Sequence, residues 1–319
     1  MYVSSQLTSS MKISSHKSLL VAVVALLSLP VILVAPNLAK ADAVSVSPPR
    51  FELFGNPGDT ISEKIKVGND STTAITYQTE VDDFDANGDQ GGINLIGPDA
   101  PETSISLAHW ISVEPSRFTV APNDETTITY TIKIPKTAEP GGKYASVLIK
   151  RAGEQVDGGA EVDTHVGSLI LLRVSGNISE KLSLDSFKTD DTYYQHGPIN
   201  LALRTTNTGN VHVAPTGKIV ITDTFGHKVT EINLTRANVL PTSSRVVATS
   251  WDQKNMIGRY TATLVATYGD TNQTLSASTT FIVIPVGLIV AVIVVIVLLI
   301  LMVTQRKRFK RFINRLTAD

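Results

Sequence analysis

The segment Asp83-Phe84-Asp85-Ala86-Asn87-Gly88-Asp89 sets side-chain oxygens at alternate positions, glycine at the sixth and a further oxygen at the seventh. That is how a Ca²⁺-binding loop opens, because a tight turn then carries successive oxygens to one side. The twelfth position, where such loops place a bidentate glutamate, is Asn94. Asp, Asn and Gly are also the residues of ordinary turns. Two readings follow: a weak Ca²⁺ site on Asp83, Asp85, Asn87 and Asp89, or a solvated acidic turn.

Other reactive groupings are missing. His109, His165, His196, His212 and His227 form neither His-x-x-x-His nor His-Glu-x-x-His, and no Gly-x-Ser-x-Gly or phosphate-binding glycine loop occurs. There are no cysteines, which excludes thiol catalysis and disulfide staples. The sequence therefore predicts no catalysis and no cofactor beyond the Ca²⁺ alternative. Trp110 and Trp251 have the shape of sugar-stacking platforms, but Trp110 opens the alternating run Trp110-Ile-Ser-Val113, which places it inward. Tyr144 and Tyr260 each follow Gly-[Lys/Arg]. They read as structural tyrosines tied back to backbone near the start of a late strand.

The elements that position these residues are strands. Ile61–Val67 and Thr126–Ile134 alternate apolar and polar residues; Tyr144–Ile149, Leu201–Arg204, Lys218–Thr222 and Tyr260–Tyr268 are rich in β-branched or aromatic residues. Turn chemistry separates them at Asn56-Pro-Gly-Asp59, Pro122-Asn-Asp124, Pro140-Gly-Gly142 and Asn207-Thr-Gly-Asn210. The chain also echoes itself. Gly142-Lys-Tyr-Ala-Ser-Val-Leu148 is matched by Gly258-Arg-Tyr-Thr-Ala-Thr-Leu264, Val120-Ala-Pro122 by Val239-Leu-Pro241, and Val67-Gly-Asn69 by the Asn-rich turn at 206–210. The fold class is all-β: two tandem Ig-like sandwiches, residues 44–176 and 177–280, divided near Gly176-Asn177. A polar, Gly/Asp/Pro-rich insert, Asp82 to Ser106, reads as a long binding loop.

Both ends point to a membrane. Lys12 and Lys17 precede the apolar stretch Leu19–Ala35 and the small-residue sites Ala39-Lys-Ala41 and Ala41-Asp-Ala43. That is the layout of a secretory signal peptide over 1–43, with an uncleaved signal anchor as the rival. Residues 281–303 carry no charge and read as a single transmembrane helix. The tail, 304–319, follows with Arg306, Lys307, Arg308, Lys310 and Arg311, which fix it on the cytoplasmic side and put 44–280 outside. Its Phe309, Phe312, Ile313 and Leu316 are spaced to lie on the lipid surface. Between Val44 and Thr280 there are 19 Lys+Arg and 27 Asp+Glu, a net charge of −8. Such an acidic domain is no match for nucleic acid.

One family fits this order of features. Pro48-Pro49, Asn56-Pro-Gly-Asp59, Val67-Gly-Asn69, Trp110-Ile-Ser-Val-Glu-Pro115, Val120-Ala-Pro122 and Ala138-Glu-Pro-Gly-Gly142-Lys-Tyr144 resemble the Ig-like peptidoglycan-binding domain of WxL-interacting bacterial surface proteins. That resemblance implies a first domain contacting cell-wall glycan and a second contacting a surface-protein partner, in adhesion or scaffolding. The alternative is an extracytoplasmic assembly or chaperone-like protein that binds a secreted strand by β-augmentation.

Overall fold

The computed structural model describes residues 44–152, 166–254 and 256–306. The signal segment and its cleavage sites lie outside these residues, as do Lys307, Arg308, Lys310 and Arg311; Arg306 lies inside them.

The first sandwich is built from β1 (Val44–Ser47), β2 (Arg50–Gly55), β3 (Thr60–Asn69), β4 (Ile75–Asn87), β5 (Gly92–Ile96), β6 (Ile111–Glu114), β7 (Arg117–Val120), β8 (Asp124–Lys133), β9 (Gly141–Arg151) and β10 (Val166–Val174). One sheet runs β1-β3-β8-β6. The other runs β2-β10-β9-β4-β5, with β7 also on β4. Pro48-Pro49 breaks the first edge, so β1 pairs with β3 while β2 crosses to lie parallel to β10. Alternation explains the facing. Ile65 and Val67 of β3, with Ile128, Tyr130 and Ile132 of β8, are fully buried, and the threonines between them on β8 point away. Ala145, Val147, Ile149, Ile170 and Leu172 close the core from the opposite sheet.

The second sandwich comprises β11 (Leu182–Thr189), β12 (Tyr193–Tyr194), β13 (Ile199–Asn207), β14 (Thr216–Thr222), β15 (Lys228–Asn233), β16 (Ser244–Trp251), β17 (Gly258–Tyr268) and β18 (Gln273–Val283). Its sheets run β11-β13-β16 and β12-β18-β17-β14-β15. Its core gathers Ile199, Leu201, Leu203, Ile219, Ile221, Trp251, Leu264, Phe281 and Val283, and shares no residue with the first core.

The sequence echo has a physical basis. Asn69 ends β3 and is buried; its amide nitrogen donates to Thr73 O at 2.8 Å and Val120 O at 3.1 Å. Asn207 ends β13 and is buried; its amide donates to Val211 O and Val239 O, both at 2.8 Å. Each asparagine donates to a carbonyl of its own turn and to the valine of the matching Val-x-Pro turn.

Two sequence expectations change in the fold. The apolar run begins at Phe281, but the helix does not. Phe281 and Val283 are fully buried in the second core as part of β18, and α1 spans Val286–Thr304. Composition alone cannot separate a buried strand from the span that follows it. The segment 82–106 is not a free loop either. β4 runs on to Asn87 and turns back through β5, so its first half is a β-hairpin. Between the first strand and α1, the described residues hold only a single helical turn, Ala108–Trp110.

Candidate functional site

The hairpin of β4 and β5 carries the Ca²⁺ candidates. Asp83, Asp85 and Asn87 share one side of an extended strand, a repeat of about 7 Å apart, so no loop draws their oxygens together. Asp83 Oδ1 instead accepts from Leu107 N and Ala108 N, both at 2.7 Å, and fixes the helical turn before Trp110. Asp89 lies in the turn itself and pairs with Arg204 of β13. Gln90 and Arg204 hold its carboxyl below the usual carboxylate range. Among the described residues no group of three or more His, Cys, Asp or Glu is placed to hold a metal ion.

The hairpin is a brace between the sandwiches. At its tip Asp89 O accepts from Val246 N of β16 at 2.6 Å, and Gly91, at φ +85°, lies against the Arg245 guanidinium. Below it, Phe84, Tyr144 and Leu171 of the first sandwich form a separate apolar cluster with Ile93, Ile105 and Leu169 of the same sandwich and Leu240 of the second. This cluster explains why β9 lacks alternation. Its residues from Tyr144 to Ile149 are buried on both faces.

Tyr144 is the centre of that junction. The sequence reading ties it back to its own sandwich; the structure ties it to the other. Its hydroxyl accepts from His212 N at 2.9 Å and lies 3.3 Å from His212 Nδ1. Gly142 N donates to Asn210 O at 2.8 Å just beside it. Burial pushes the Tyr144 phenol far up, opposed by the His212 N–H, and brings the His212 imidazole down to about 4. Tyr260, the sequence counterpart, stays local, with its hydroxyl donating to Ile257 O at 3.2 Å.

Polar clamps flank the tyrosine. Glu52 of β2 accepts from Asn238 Nδ2 at 2.8 Å and from Arg236 Nη2 at 2.7 Å. Burial disfavours its charge, yet Asn238, Arg236 and Arg50 keep its carboxyl below the usual range. Arg173 joins Glu180 and Asp270, each at 2.8 Å.

Between Asn238 of the first clamp and the β4–β5 hairpin lies a cleft of ≈ 150 Å³. Its floor is Phe84, Leu169, Leu171 and Leu240, and its polar wall carries Arg50 and Arg245. Arg50 is paired to Glu52 at 3.1 Å. Arg245 donates to Asn238 O at 2.8 Å, and no carboxylate among the described residues pairs with it. Burial, then the charge of Arg50, lowers its affinity for its proton. Guanidiniums beside apolar side chains are the chemistry that recognises a carboxylate or phosphate. The adjoining strand offers more. β16 pairs with β13 on one side only, and past Val246 its outer edge, with Ala248 and Ser250 exposed, has no strand beside it among the described residues.

The aromatic candidates are occupied elsewhere. Trp251 is buried in the second core, in edge contact with Tyr260 at 5.5 Å. Trp110 packs on the first core, and Lys143 Nζ sits 5.9 Å from its ring centroid. That ammonium also donates to Ser104 O, and burial lowers its pKa. The arginine pair was not among the sequence candidates. Lone arginines on separate strands carry no spacing signal.

No family model and no curated protein matches the chain. Solved structures similar to it include the class 5 fimbriae chaperone CfaA, at 13% identity and TM-score 0.39, covering 74% of this chain and 99% of that one. The E. coli chaperone DraB matches at 14% identity and TM-score 0.34, over 76% of this chain and 95% of its own. The Salmonella enterica SafA pilin in complex with the SafB chaperone matches at 13% identity and TM-score 0.33, over 76% and 98%. The likeness is one of fold. The chain is an all-β protein of Ig-like sandwiches followed by one helix long and apolar enough to cross a membrane.

Proposed function

We propose that this chain is a membrane-tethered, non-catalytic binding protein. It holds an extended segment of another polypeptide outside the cell, as an adhesion or assembly factor. The segment pairs with the free edge of β16 by strand addition and sets an acidic group, side chain or terminus, against Arg245 and Arg50. The observation that carries this reading is Arg245. A guanidinium with no acid partner among the described residues, beside a second guanidinium and a strand edge that no described strand covers, is left open for an anion to complete. The helix α1, followed by Arg306 and the basic tail, supplies the tether and orientation.

The wall-glycan reading rests on the resemblance to WxL-interacting proteins and finds less support. Sugar stacking in the cleft would need an exposed aromatic face there, and the one aromatic side chain lining it, Phe84, is buried. A photo-crosslinking amino acid at Ala248 of the full-length protein, in its native envelope, separates the two. A product destroyed by protease, untouched by muramidase and lost in Arg245→Gln supports strand capture. A product that collapses with muramidase assigns the cleft to wall polymer.

A further inference from the structure

We infer that the lower end of the second sandwich is a lipid-docking surface, seated in the headgroup layer of the bilayer that α1 crosses. The inference rests on α1 being a span and adds a second, independent contact to it.

The first argument is length. α1 has 19 residues, or about 28 Å at 1.5 Å per residue, against a hydrocarbon core of about 30 Å. The helix has no turn to spare, so Val286 sits at the top of the hydrocarbon. Only Ile284 and Pro285 separate it from β18. The three backbone steps from Val283 to Val286 reach about 11 Å at most. The end of the sandwich therefore lies within the interfacial layer.

The second argument is what that end exposes. Tyr193 is 69% exposed, Phe225 83% and Ile257 63%. All three lie at the end from which α1 leaves. Tyr193 pairs with Ile282, next to Arg259 on the adjacent strand. Phe225 tips the β14–β15 turn, which Thr224 Oγ1 ties to Arg259 O at 3.0 Å. Ile257 directly precedes β17. Large apolar groups left in water at one end of a folded domain mark an interaction surface, and amphipathic rings favour the membrane interface. Acidic Asp223 does not oppose this contact from the tip. Its carboxylate is turned back to accept from Phe225 N and His227 N, both at 2.9 Å.

The protein has no cysteine, so single cysteines can be placed at will. Full-length Phe225→Cys, Ile257→Cys, Ser276→Cys and Leu298→Cys variants would carry an environment-sensitive fluorophore in nanodiscs of phosphatidylcholine and phosphatidylglycerol. Ser276 is on the exposed mid-face of β18 and Leu298 is within α1. Labels at 225, 257 and 298 should emit at shorter wavelength and be quenched by spin-labelled lipid, while the label at 276 stays aqueous. Aqueous labels at 225 and 257 beside a quenched label at 298 would overturn the docking surface and leave the span intact. Labels at 225 and 257 that are shielded but indifferent to spin-labelled lipid would assign the surface to a second protein and overturn lipid as its occupant. An unquenched label at 298 would remove the span, and the docking inference with it.

Discussion

The hydroxyl of Tyr144, on β9 of the first sandwich, takes its hydrogen bond from the backbone N–H of His212 in the second, at 2.9 Å. Both groups are withdrawn from water, and the rings meet edge to face with centroids 5.7 Å apart. The two sandwiches therefore share a buried polar contact as well as an apolar one.

Tyr144→Phe leaves the His212 N–H without its acceptor. The expected loss is about 1–3 kcal/mol, the range for an orphaned buried donor. Urea titration of the full-length protein in detergent should show it. An unchanged midpoint would mean that water replaces the phenol.

The imidazole of His212 makes stability depend on pH. Its folded pKa is about 4, below the ordinary 6.5, because burial outweighs the pull of Glu52, with Arg173, Arg236 and Arg50 also opposing the charge. Between those values the unfolded chain binds a proton that the folded one does not. Stability is thus fully present above about 6.5 and falls as pH drops toward about 4, by an amount on the order of 3 kcal/mol. Urea midpoints at pH 7, 5.5 and 4.5 should decline in that order for the native protein. His212→Gln should flatten the part of the slope above pH 5.

Asn207→Ala removes the donors to Val211 O and Val239 O and the acceptor for Gly209 N. Leaving these groups unpaired should cost roughly 3 kcal/mol. Asn69→Ala should cost a similar amount, and the loss should fall on the first sandwich. Hydrogen exchange resolved by peptide would show which half loosens. Equal loosening of both halves in both variants would mean that the sandwiches unfold as one unit.

Gly91→Val forces a branched side chain into φ +85° and against the Arg245 guanidinium. The strain alone should cost about 1 kcal/mol. The hairpin tip should lift from β16, seen as faster amide exchange at Val246. Exchange unchanged at Val246 would show that the tip tolerates the side chain in place.

What the sequence revealed and what it hid divide along physical lines. Strands such as Ile61–Val67 were legible because alternation is local and sets which side chain faces the core. The Asn69 and Asn207 turns were legible as a repeat because their partners, Val120 and Val239, carry the same Val-x-Pro punctuation. The start of α1 was not, because Phe281 and Val283 are as apolar as the span they precede. The hairpin passed for a loop because Asp83, Asp85 and Asn87 look like turn chemistry, although their period of two is that of a strand. The Arg50–Arg245 pair and the Tyr144–His212 contact were invisible. Each joins residues far apart in the chain, and neither uses a motif.

The direct passage from β18 into α1 has a mechanical consequence. Every one of the eleven residues of β18 is paired with β17. On the proposed reading, a partner drawn outward from the cleft, with α1 held in the bilayer, loads β18 toward α1. The cross-strand pairs are then sheared together, where a sideways pull would peel them one at a time. The strand that leads to the anchor is thus also the strand best placed to resist being torn from it.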